Sequence, residues 1–236
     1  MKKGIYLLMF VCSLNTFSQD GFSMAFGQND YVRLVGMSTE DYNKAIGNNF
    51  NSAVEGSPYL YPAWFNNAKV YFEQKEYIFP SLNYNVYAER FEAKLSKDSV
   101  FIINPKGVDK VVLGNKVFKR YLDPEFQRNS YFEELARLNN VVLLRKYFAE
   151  IQEAGLNPLT KVPMGAPKLL QKEKFYTLMV EDEALKAVKL KKSVILNLVD
   201  DDDVKILKTY AREHGLSFRN SDDVIQILTY FNSLGA

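Results

Sequence analysis

The sequence predicts an α+β protein: an antiparallel β meander, of sandwich or open-barrel type, followed by a C-terminal helical hairpin. Three observations carry this expectation. From about Tyr59 to Phe148, short apolar or alternating runs are separated by turn residues at roughly the eight-to-twelve-residue spacing of an all-β domain. Beyond Ser193 the apolar period lengthens to that of a helix. Aromatic residues, which favour strands, crowd the stretch from Tyr59 to Phe91. The chain divides accordingly into residues 1–18, an irregular segment 19–56, a β-rich domain 57–190, and a helical segment 191–236 that packs on it.

Residues 1–18 read as a bacterial secretion signal. Lys2 and Lys3 form the positive start, Ile5 to Leu14 the apolar stretch, and Thr16 and Ser18 the small-x-small pattern that places cleavage between Ser18 and Gln19. The expected location is therefore periplasmic or secreted. Cys12, the only cysteine, raises lipid modification as a lesser alternative. Large residues (Met9, Phe10, Val11) precede it, against the small ones that modification prefers. Cleavage removes Cys12, Lys2 and Lys3, leaving 28 of the 30 basic side chains against 28 acidic ones. A neutral chain lacks the cationic surplus that nucleic acid demands, and without a thiol it forms no disulfide. A chain of this length buries its own core without staples.

In the segment 19–56, Ser38 or Thr39 caps a short helix through Ala45. Strands are expected at Ala68–Phe72 and Tyr77–Phe79, around a turn at Glu73–Glu76. Leu82, Tyr84 and Val86 alternate, and so do Phe91, Ala93 and Leu95 in shifted phase, as in one long strand bent at a bulge. Val100–Ile103, Val111–Leu113 and Val117–Tyr121 continue the pattern. Tyr131–Leu135 and Val141–Phe148 form a hairpin around Leu138-Asn139-Asn140. Residues 152–170, with Gly155, Pro158, Pro163, Gly165 and Pro167, read as a long loop, a feature that often carries function. Lys174–Val180 and Leu185–Val188 flank the turn Glu181-Asp182-Glu183. Ser193 caps a short helix. Asp201 to Asp203 precede a second, which Gly215 ends, and Asn220 or Ser221 caps a third with Val224, Ile227, Leu228 and Phe231 on one face.

No catalytic or metal motif stands out. His214 is the only histidine and sits at a helix end, where the dipole favours a cation; with no mature cysteine, no usual zinc set can be assembled. Asp200 to Asp203 are contiguous and lack the alternate spacing and glycine of a calcium loop. Glu133 with Glu134, Asp123, and Glu181-Asp182-Glu183 are the carboxylates that a hydrolase would use; adjacent acids of this kind are usually solvated. Lys186, Lys189, Lys191 and Lys192 form a small basic cluster that reads as a solvated face, with no apolar stripe beside it to indicate membrane contact. Tyr59, Tyr61 and Trp64 are the candidate ligand- or partner-binding residues, because Pro58 and Pro62 make their segment an edge or a loop and Tyr and Trp lead interface hot spots.

Three segments, Leu82-Asn83-Tyr84-Asn85-Val86-Tyr87, Tyr131–Leu135 with Leu143–Tyr147, and Asp222–Leu234, resemble those of a group of uncharacterised exported bacterial envelope proteins. The resemblance implies export and a β-then-helix order. It brings no activity, cofactor or catalytic residue. The expectation is therefore a non-enzymatic, cofactor-free binding or structural module of the envelope, engaging an envelope protein or other component. Second comes a barrel-like binder of a sugar or small apolar molecule, and third a carboxylate-dependent hydrolase.

Overall fold

Alternating apolar residues give β2 (Ala68–Phe72) and β3 (Lys75–Phe79), joined by Glu73 and Gln74, both at positive φ. A two-residue turn of that kind matches the twist of its strands, and it is tighter than the four-residue turn the sequence suggests. The computed structural model describes residues 33–46, 54–65, 67–94, 99–181 and 184–235. The secretion signal, Cys12, and Asp182 with Glu183 lie outside the described residues.

The remaining strands are β1 (Val35–Ser38), β4 (Leu82–Asn85), β5 (Arg90–Lys94), β6 (Val100–Ile103), β7 (Val108–Leu113), β8 (Lys116–Asp123), β9 (Arg128–Arg137), β10 (Val141–Gln152), β11 (Lys168–Met179) and β12 (Leu185–Val188). They form two antiparallel sheets, one in the order β1-β6-β5-β4 and an eight-stranded one in the order β12-β11-β10-β9-β8-β7-β2-β3. Neither closes into a barrel. The helices are α1 (Thr39–Ile46), α2 (Lys192–Leu196), α3 (Val204–Glu213) and α4 (Ser221–Leu234). The expected fold class thus holds.

Three elements differ from expectation. Leu82 to Ala93 is a hairpin and not one bent strand, since Leu82 pairs with Ala93 and Tyr84 with Phe91. The Asn85 side chain accepts from Ala88 N–H and Glu89 adopts φ 51°, so a turn forms with no glycine or proline to announce it. Strands β10 and β11 continue into the expected loop and pair from Val141–Met179 out to Gln152–Lys168. Ser193 lies inside α2, whose cap is Lys191.

The sheets pack face to face over one apolar cluster that includes Val70, Phe79, Tyr84, Phe91, Val111, Phe118 and Tyr131. Tyr84 and Phe91 rings lie 4.9 Å apart, as do Phe91 and Tyr131, and Phe91 is 5.3 Å from Phe118. Along β9 and β10, on the same face, Leu135 and Leu143 belong to a second cluster with Leu207, Ala211, Val224, Ile227 and Leu228 of the helices. Phe132, Val142, Leu144, Tyr176 and Leu178 form a third on the opposite face. Residues at i and i+2 share a strand face, so Glu133 stands between Tyr131 and Leu135, at the seam of the first two clusters.

Helix α3 ends as expected. Gly215 at φ 64° lets Leu216 N–H reach Ala211 C=O at 2.8 Å and Gly215 N–H reach Arg212 C=O at 3.4 Å, the paired bonds that close a helix with a left-handed residue. Asn220 caps α4, its side chain accepting from the N–H groups of Asp222 and Asp223. Asp203 occupies the cap position of α3, but its side chain makes no cap bond.

Candidate functional site

The seam between the apolar clusters is ionic. Glu133 is 3 % exposed and Arg145, its partner across the β9–β10 ladder, 4 %. Arg145 Nε donates to Glu133 Oε2 at 3.0 Å, Tyr147 Oη donates to the same oxygen at 2.7 Å, and Lys116 Nζ donates to Oε1 at 3.0 Å. Arg145 Nη1 continues to Glu173 and to Ser221 Oγ, each at 3.1 Å. The network therefore latches the start of α4 to the sheet, while Asn232 Nδ2 donates to Arg137 C=O at 3.2 Å and latches its other end. Burial lowers the Arg145 pKa, but the charges of Glu133, Tyr147 and Glu173 and the bond to Glu133 together outweigh it, so the pKa is raised and the cation is held. Burial first, then Glu133, pushes the Tyr147 phenol well up and the Tyr61 phenol up to about 12.

A second network lies on the other face. Lys146 Nζ donates to Asp123 Oδ2 at 2.7 Å and pairs with Glu89 at 3.1 Å. Asp123 is fully buried. Burial raises its pKa, but the bonds from Lys146 and from the N–H groups of Glu125 and Phe126 outweigh burial and hold the carboxyl below its usual range. Glu134, on that face also, is lowered in the same sense: burial raises it, and bonds from Tyr121, Arg137 and Lys119 prevail. Glu133 and Asp123 are thus not solvated, as adjacent or turn acids usually are. They are buried because a strand face, not a turn, carries them. The candidate carboxylates are also dispersed: Glu133 and Glu134 point to opposite faces of β9, these two and Asp123 face cations, and Glu181 is exposed as expected.

A depressed carboxyl stabilises the fold above its unfolded pKa and loses that contribution as pH falls through the folded value. The urea midpoint is therefore expected to decline as pH drops below about 4. Asp123→Asn should start about 2–3 kcal/mol lower at neutral pH, because Lys146 keeps only Glu89, and should decline less. Parallel acid profiles for the two proteins would count against the assignment.

Tyr59, Tyr61 and Trp64 are half-buried, on a segment bridged to the edge of β4 at Tyr59–Asn85 and Phe65–Leu82. Tyr59 Oη donates to Glu92 at 2.8 Å, its ring lies 4.9 Å from Trp64, and Lys94 Nζ lies 5.4 Å from the Trp64 ring centre. Tyr61 packs edge-on against Phe65. The proline-based reading of an edge holds, and these side chains are tied into that edge. His214 is the C-cap of α3, its ring 4.3 Å from that of Tyr210. No group of three or more metal-binding side chains occurs among the described residues, and no described helix is long and apolar enough to cross a membrane.

Sequence reasoning missed a groove of about 410 Å³ beside the helices. It is lined by Leu138, Asn139 and Asn140 of the β9–β10 turn, by Leu198, Asp200 and Asp203, by Ile206 of α3, and by Phe231, Asn232 and Leu234 of α4. Ile206 and Leu234 are exposed there. Asp200 and Asp203, with Asp201 and Asp202 beside them, form no ion pair among the described residues. Only the run of four acids signals the place in the sequence, because the apolar walls come from three separate segments. No family model, curated protein or solved structure matches the chain.

Proposed function

We propose that the protein is a non-enzymatic binding module of the bacterial envelope, and that its groove receives an apolar segment of a partner protein flanked by basic residues. One observation carries this reading: a groove that brings apolar side chains together with two carboxylates, Asp200 and Asp203, that form no ion pair among the described residues. Apolar side chains supply affinity, and carboxylates of this kind select and steer a basic partner. The secretion signal and the resemblance to exported envelope proteins support the location. The ligand-binding barrel has less support, because the aromatic rings that would line its lumen pack on one another. The hydrolase has less support too, because Asp123 and Glu134 are held below the range of a general acid.

A photo-crosslinking residue at Leu234, introduced in the native host, tests the proposal. One recurrent protein adduct is expected, attached through a segment of apolar and basic residues. Asp200→Asn with Asp203→Asn should reduce the yield about tenfold, two partly exposed charge contacts being worth about 1.4 kcal/mol together. An adduct indifferent to those substitutions, or none above a control site at Lys75, would refute it.

A further inference from the structure

We propose that the tip of the β10–β11 hairpin inserts into the interface of a lipid bilayer. This goes beyond the groove reading and stands without it, since β10 begins at Val141, next to Asn140 of the groove, and ends at Gln152, at the base of the loop that forms the tip. Twelve residues of extended strand separate the two by roughly 40 Å.

At that far end Leu159 is 94 % exposed, and Leu156, Val162 and Met164 are each more than half exposed. Scattered exposed apolar residues need no explanation, but four within nine positions of one loop do. The loop is ordered internally. Leu156 bridges to Pro163, Asn157 N–H donates to Val162 C=O, Met164 N–H to Gly155 C=O, and Lys161 N–H to Asn157 C=O. Asn157 Oδ1 accepts from the N–H groups of Leu159 and Thr160. Five of the six N–H groups from Asn157 to Met164 are thus satisfied inside the loop, Val162 N–H being the exception, and Pro158 and Pro163 have none to satisfy. Hydrocarbon imposes that requirement on any backbone that enters it, whereas a protein partner can supply missing bonds.

Charge fits the same occupant. From Ala154 to Lys172 the chain has no acidic residue, while Lys161, Lys168 and Lys172 lie within it. Lys168 and Lys172 pair with Glu55 and Glu150 at the hairpin's flanks. Lys161, between Leu159 and Val162, makes no ion pair among the described residues, and at the tip it stands at headgroup level once its neighbours enter the acyl boundary.

Flotation of protein purified from its native host with phosphatidylethanolamine–phosphatidylglycerol vesicles tests the proposal. Leu159→Asp with Met164→Asp should lower the partition coefficient about a hundredfold, as expected for two large apolar side chains withdrawn from lipid. The pair lies outside all three apolar clusters, so the melting curve should not change. Leu159→Trp provides a second reading: its fluorescence should shift to the blue and be quenched by brominated lipid beyond the contribution of Trp64. Equal partition of wild type and the Asp pair, or no quenching at position 159, would overturn the proposal. So would self-association that the Asp pair abolishes while neither protein floats, which would make a second copy the occupant. The groove adduct at Leu234 is scored independently of either result.

Discussion

Arg145→Met is expected to destabilise the protein by about 3–5 kcal/mol, the usual cost of stranding one half of a buried ion pair. The side chain that remains, Glu133, is almost fully buried and would keep Lys116 and Tyr147 as its only partners. The same substitution frees Ser221 and so unlatches the start of α4 from β10. A drop in the urea midpoint, read together by far-UV circular dichroism and tryptophan fluorescence, measures the cost. Arg145→Lys should recover only part of it, because an ammonium on a linear stem cannot bond Glu133, Glu173 and Ser221 at once as the guanidinium fork does. Glu133→Gln added to Arg145→Met should restore more than the two single losses predict, since the stranded charge is then gone. A loss below about 1 kcal/mol for Arg145→Met would mean the pair is solvated in practice and the seam is not ionic in energy.

Phe91→Ala should cost a similar amount, about 3–5 kcal/mol, for the opposite reason: it removes apolar contact where nothing polar intervenes. Phe91 is fully buried and touches three aromatic rings, those of Tyr84, Phe118 and Tyr131, which join the two sheets. Tyr84→Phe in the same cluster is the informative control. The Tyr84 hydroxyl is buried and without a hydrogen-bond partner among the described residues, so its removal should be neutral or stabilising. Thermal and chemical unfolding of both variants would measure this. A large loss for Tyr84→Phe would count against that account of the hydroxyl.

What the sequence disclosed was local. Val141–Leu144 is legible as a strand because the turn before it is, and α4 is legible because Val224, Ile227 and Leu228 repeat at helical spacing. The β4–β5 turn escapes because an asparagine side chain builds it, without the punctuation of glycine or proline. The Glu133–Arg145 pair escapes for a different reason. Its register depends on an irregularity between Leu143 and Leu144, and one residue of slip would send the two charges to opposite faces. Pairing across a bulge is a property of two strands at once and has no signature in either. The groove is less legible still, since Leu138, Leu198, Ile206 and Leu234 meet only after the helices dock. The hairpin loop, by contrast, is marked by its own prolines and glycines, though not the extent to which strands continue into it.

The order of strands in the larger sheet bears on how fast the chain folds. From β7 to β12 each strand pairs with its neighbour in sequence, so that half grows by short loop closures. The sheet is completed by β2 alongside β7, with Val70 against Val111, and the chain between them carries β3 of the same sheet and β4, β5 and β6 of the second. That closure loses chain entropy before it gains any contact. It is the slow step this topology imposes, and until it occurs the outer side of β7 remains an open template for whatever extended chain arrives first.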